Sequence, residues 1–229
     1  MQYLIELLIF LTFIIIPPIF TPKLTEISPI EFSLYSVILY GIITLYCFIR
    51  VKDLKKATNT YKHSNTFFSK KHIITKHKFL KNLVLSIFTL IFLFLNGRFW
   101  QWISNSPTNK LPNNTSIFWH IFQVFGIFIY AFYEENMYRS FLPLSLEINL
   151  EFITKTKNHL KLIFAICEIL ALLLFSFGHL YMGIFAVLNA FFAGIALRFL
   201  VWKTKSVFPS TIIHFIYNLV LYLSMFTKA

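Results

Sequence analysis

Seven long apolar stretches follow one another along the chain, at residues 3–20, 30–49, 79–102, 117–142, 161–180, 181–201 and 207–226. A helix needs about 20 mostly apolar residues to cross the ~30 Å hydrocarbon core of a bilayer. The stretches are continuous rather than alternating, so each predicts a helix and not a barrel strand. Helices also satisfy their own backbone groups where water is absent. The pattern therefore predicts an all-α, polytopic transmembrane bundle of about seven helices. The first stretch has no basic segment before it and ends in Pro17-Pro18, so it reads as a retained helix and not a cleaved signal.

Composition agrees with the pattern. Of 229 residues, 57% are hydrophobic and 13% charged, against roughly 25% charged in soluble domains. That excludes a soluble globular class. Cys47 and Cys167 both fall inside apolar stretches and read as packing residues.

Charge adds an orientation. Ten Lys or Arg and a single acid, Asp53, lie between Arg50 and Lys81, between the second and third stretches. Such a run can bind nucleic acid, but between two spanning helices it marks a cytoplasmic loop. The expected partner is the lipid bilayer, with no nucleic acid. Alternation then places the N-terminus in the cytoplasm and the C-terminus outside a multi-pass cell-membrane protein. Segment 104–116, with Lys110, faces out. Segments 143–160, with Lys155 and Lys157, and 202–206, with Lys203 and Lys205, face in. The chain divides into N-terminal helices with a basic loop, 1–116, and a second part, 117–229, that holds the unusual polar residues.

An ionisable residue deep in a bilayer is costly and functional by default. The fourth stretch carries Glu134 and Glu135 side by side, with Arg139 one turn beyond Glu135. An i,i+4 ion pair accounts for Glu135 and Arg139. It does not account for a second glutamate, and two carboxylates in low dielectric are poised for general acid/base work or for a metal. His179 follows Phe175 by one turn, and His214 precedes Asn218 by one turn. Two acids and two imidazoles can bind a divalent metal with an open water position, activate water directly, or relay protons in a transporter.

Glu134-Glu135-x-x-x-Arg139, Phe175-x-x-x-His179 and His214-x-x-x-Asn218, in that order, resemble the three motifs of the CAAX protease and bacteriocin-processing (Abi) family of intramembrane endopeptidases. Gly194 and the basic turn before Pro209 are similar to the run between the second and third motifs. The resemblance covers residues 117–223. It implies that Glu134 and Glu135 with His179 activate a water or hold a metal, and that His214 joins the site. On this basis Glu135, His179 and His214 are expected zinc ligands. Arg139 would orient Glu135, and Asn218 would donate to the oxyanion of the tetrahedral intermediate. The substrate would be a membrane-associated peptide or protein, cut at the cytoplasmic boundary.

Two other classes compete. A non-catalytic bacteriocin immunity or accessory protein could keep the fold, but intact motifs favour the enzyme. A small proton-coupled transporter is disfavoured by the lack of inverted repeats. The stretch limits put His179 at the outer end of the fifth helix and Glu134 and His214 in inner halves. A joint site thus requires a short fifth helix, or a turn at Gly178 that enters the bundle.

Overall fold

A computed structural model describes residues 2–21, 32–61, 76–104, 116–154 and 160–224, and among them the chain is helical with no strand. Its helices are α1 (Gln2–Phe10), α2 (Leu34–Tyr61), α3 (Lys76–Ser104), α4 (Ile117–Asn136), α5 (Leu142–Thr154), α6 (Leu160–Phe177), α7 (Ile184–Thr204) and α8 (Phe208–Ser224). A π-helical turn, Leu11–Ile15, and a 3₁₀ turn, Pro17–Phe20, extend α1. Residues 62–75 of the basic run, with Lys62, Lys70 and Lys71, the outward segment with Lys110 and the residues Lys155 and Lys157 lie outside the described residues.

Five helical stretches are long and apolar enough to cross a membrane: Gln2–Phe20, Leu34–Lys55, Phe79–Ser104, Ile117–Leu150 and Ile184–Thr204. Leu162–Phe177 and Phe208–Ser224 are apolar but shorter. The molecule is apolar outside and polar within. Leu95, Phe118 and Leu34 are exposed, while Gln123, Glu134, Glu135, Arg139, Thr211 and His214 are buried. Lipid is the solvent that suits such a surface.

The helices enclose an interior rather than stack in layers. α4 packs between α2 and α8, α8 packs against α3 and α7, and α7 packs against α6. α5 returns along α6 and touches α1 and α2. Two glycines permit close approaches. A Cβ at Gly126 would stand 2.7 Å from the Phe32 ring, and one at Gly194 would stand 2.6 Å from Leu172. Small residues let helices approach in a bilayer, where van der Waals packing drives association. Polar contacts fix the same seams. Gln123 on α4 accepts from the Phe32 N–H (2.8 Å) and donates to its carbonyl (3.1 Å). The Asn96 amide donates to Asn189 Oδ1 at 2.6 Å, joining α3 to α7. Arg50 holds Glu6 at 2.6 and 2.8 Å, joining α2 to α1. Cys47 and Cys167 are free and buried.

The expected inward loop at 143–160 is corrected by the structure. α4 passes through a π-helical turn, Met137–Phe141, directly into α5. Pro143 suggests a helix end, yet proline is tolerated in the first turn of a helix. Leu142 is then buried in the core, and Leu144, Leu146 and Ile148 pack partly buried against the same cluster, which holds α5 in place. The fifth stretch also ends early, at Phe177, and a turn through Gly178 and the 3₁₀ segment Leu180–Met182 leads to α7. Gly183 opens α7 at φ 98°, a conformation suited to glycine.

Candidate functional site

α4 carries Glu134 and Glu135 into the interior, where both are buried. Successive residues point about 100° apart on a helix, so the two carboxylates meet different neighbours. Glu135 Oε1 lies 3.1 Å from His214 Nδ1, and its Oε2 lies 3.8 Å from Arg139 Nε. Glu134 Oε2 lies 3.5 Å from the other nitrogen of the same ring, Nε2 of His214. His214 therefore bridges the two acids. Its Nδ1 faces a carboxylate at hydrogen-bond distance and donates to it.

His179 arrives from the turn after α6. Its Nδ1 lies 3.0 Å from the Phe175 carbonyl. A carbonyl only accepts, so Nδ1 holds the proton and Nε2 of the neutral ring carries the lone pair. That Nε2 stands 4.0 Å from Glu134 Oε1. Glu134 is thus flanked by the Nε2 atoms of both histidines. The depth mismatch read from the sequence disappears for two reasons. The span bearing Glu134 runs on to Leu150, so Glu134 is central in it rather than near its inner end. In addition, the apolar part of α6, Leu162–Phe177, rises only about 24 Å, so its end lies within the hydrocarbon depth.

Arg139 is buried in the π-helical turn, with its guanidinium 4.2 Å above the Phe175 ring centre. Nε and one terminal nitrogen of Arg139, and Oε2 of Glu135, have no hydrogen-bond partner among the described residues. Phe175 thus serves three neighbours: its face meets Arg139, its edge packs on Tyr138, and its carbonyl fixes His179. Asn218 lies half-buried on α8, one turn beyond His214.

The donors expected to hold zinc are not arranged around one point. Glu135 meets Nδ1 of His214, on the far side of that ring from Glu134, while His179 faces Glu134. Among the described residues, no three His, Cys, Asp or Glu are grouped to hold a metal ion.

The surroundings include residues that the sequence did not single out. Tyr40 from α2, Tyr130 and Tyr133 from α4, Tyr138 and Tyr181 all lie within electrostatic reach of Glu134. The Tyr40 ring packs 4.8 Å from Tyr133 and 5.0 Å from Tyr130, so the N-terminal helices supply one wall. Behind the Glu135–Arg139 pair, Arg198 on α7 pairs with Glu168 on α6 and donates to the Arg139 carbonyl. Tyrosine is ordinary in an apolar span and gives no signal by itself. Glu168 and Arg198 did carry one, being ionisable residues inside apolar stretches.

Residues 115–220 match the model of a family described as type II CAAX prenyl endopeptidase Rce1-like. The matched stretch contains Glu134, Glu135, Arg139, His179, His214 and Asn218. No curated protein and no solved structure matches the chain.

Proposed function

From the match of residues 115–220 to the family model described as type II CAAX prenyl endopeptidase Rce1-like, we propose that this protein hydrolyses a peptide bond in a membrane-anchored, CAAX-type substrate. One observation carries the mechanism: in the bundle interior, Glu134 stands between the Nε2 atoms of His179 (4.0 Å) and His214 (3.5 Å). A gap of 4.0 Å between a carboxylate oxygen and a ring lone pair accommodates a water that donates to both. Glu134 then takes a proton as the water oxygen attacks the scissile carbonyl carbon. Asn218 donates to the oxyanion that forms. Collapse of the tetrahedral intermediate breaks the C–N bond, and Glu134 returns its proton to the leaving amine. Glu135 holds the His214 ring through Nδ1, and Arg139 balances the Glu135 charge. No step of this mechanism needs zinc.

A bilayer interior offers little water, and a helical peptide bond is protected by its own hydrogen bonds. The scissile bond is therefore in an extended tail that enters from the membrane boundary. The test uses the full chain reconstituted in lipid vesicles with a peptide ending in a prenylated cysteine and three further residues. The wild type releases the three-residue tail, with or without a chelator. Glu134→Gln elutes as folded protein and releases none. Absence of cleavage by the wild type, or full turnover by Glu134→Gln, defeats the reading.

A further inference from the structure

Pro143 has no N–H, so it cannot donate to the carbonyl four residues before it, which belongs to Arg139. The chain answers locally with the π-helical turn Met137–Phe141, in which the Leu142 N–H reaches back to the Met137 carbonyl. The Arg139 carbonyl instead accepts from the Arg198 guanidinium, which comes across from α7. Glu168 on α6 pairs with that same guanidinium. In the apolar seam between α6 and α7, one charge thus meets a backbone oxygen and the other holds that charge in place. That oxygen belongs to the residue whose side chain faces Glu135.

We propose that Arg198 and Glu168 are positioning residues for the hydrolytic reaction: together they clamp the proline-freed carbonyl of Arg139 and so fix the π-helical turn that sets Arg139 and Glu135 behind His214. This rests on the function proposed above. Neither residue reaches the reacting atoms, and both act through the backbone. The arrangement explains why an ionisable pair is kept where packing alone would favour apolar side chains. It also accounts for the tolerance of a proline next to a buried arginine, since the missing donor is replaced from another helix. Misplacement of catalytic groups by about 1 Å can cost on the order of a hundredfold in rate, so a loosened turn is felt at the chemistry.

The experiment compares full-length Arg198→Met, Glu168→Gln and Pro143→Ala, with the double variant Pro143→Ala/Arg198→Met, in vesicles. Arg198→Met lowers kcat on the order of tenfold to a hundredfold while KM stays within about twofold. Pro143→Ala supplies an N–H for the same carbonyl, so the double variant recovers most of the lost kcat. Amide exchange of residues 137–145 is faster in Arg198→Met and returns towards wild type in the double variant. If Arg198→Met does not fold, Glu168→Gln carries the test with the same kcat and exchange changes. Unchanged exchange and kcat in the single variants, or a double variant no better than Arg198→Met, overturns the clamp. A wild type that cleaves nothing defeats the proposed function, whereas the exchange measurement still decides on the clamp.

Discussion

Glu134 and Glu135 are adjacent in sequence but differ in what compensates them. Glu135 has Arg139 and the Nδ1 donor of His214, whereas Glu134 has two imidazole Nε2 atoms and no arginine. Removing one charge from a buried pair leaves the other uncompensated, at a cost of about 3–5 kcal/mol. Glu135→Gln is therefore expected to lower the thermal midpoint markedly in detergent, while Glu134→Gln keeps it and loses turnover. Equal midpoints for the two variants would contradict this division. Asn218→Ala is expected to lower kcat by about 10²–10³ with KM nearly unchanged, since an oxyanion donor strengthens its bond only in the transition state. Initial rates across substrate concentrations separate the two constants. These residues were legible in the sequence because an acid, an imidazole or an amide is out of place in an apolar stretch. Which nitrogen of His214 meets which carboxylate was not legible, because it depends on how α8 is rotated against α4. Tyr40 was invisible for the same reason, since only tertiary packing of α2 brings it near Glu134.

At the scale of elements, apolar run length located the seven apolar helices but missed α5 and misjudged where two of the others stop. The fourth apolar stretch is bounded at Leu142, with a loop expected from Pro143. Run length could not show that Leu142, Leu144 and Leu146 find a core to bury against. It also ran the fifth helix on through His179, though the chain turns at Gly178 and so delivers that ring to Glu134. The seam between α2 and α4 shows how the N-terminal helices are held to the site. Gln123 takes both backbone groups of Phe32, and Gly126 leaves room for the Phe32 ring. A side chain at Gly126 has to displace that ring, and overpacking of this kind costs about 1–3 kcal/mol. Gly126→Val is expected to destabilise the protein by that amount and to reduce turnover as Tyr40 withdraws. Phe32→Ala in the same chain makes room for the added methyl groups and restores part of both. Thermal unfolding and tail release measured on the single and double variants check the coupling. Strictly additive losses would show that the Phe32 ring is not what Gly126 accommodates.

For the whole molecule, the distribution of charge predicts which side of the membrane the site opens to. Ten basic residues lie between Arg50 and Lys81, whereas segment 104–116 on the other side of α3 carries Lys110 alone. Translocating a short loop with that many positive charges is strongly disfavoured, so the basic segment is expected to stay in the cytoplasm. In that orientation α4 would descend from outside to inside, and α6 would rise from the inside to bring His179 to it. α8 would begin on the same inner side, and His214 lies within its first two turns. A tail anchored in the inner leaflet would then reach Glu134 without crossing the bilayer, whereas one anchored in the outer leaflet would not. In intact cells, a membrane-impermeant thiol reagent is expected to label Ser106→Cys and to leave Asn65→Cys unlabelled until the membrane is opened. The native Cys47 and Cys167 are buried and give no background. Vesicles with the basic segment facing outward should then cleave substrate added to the bulk solution, and vesicles of the opposite orientation should not. Labelling of Asn65→Cys from outside the cell would reverse the topology and move the entrance of the site to the other face.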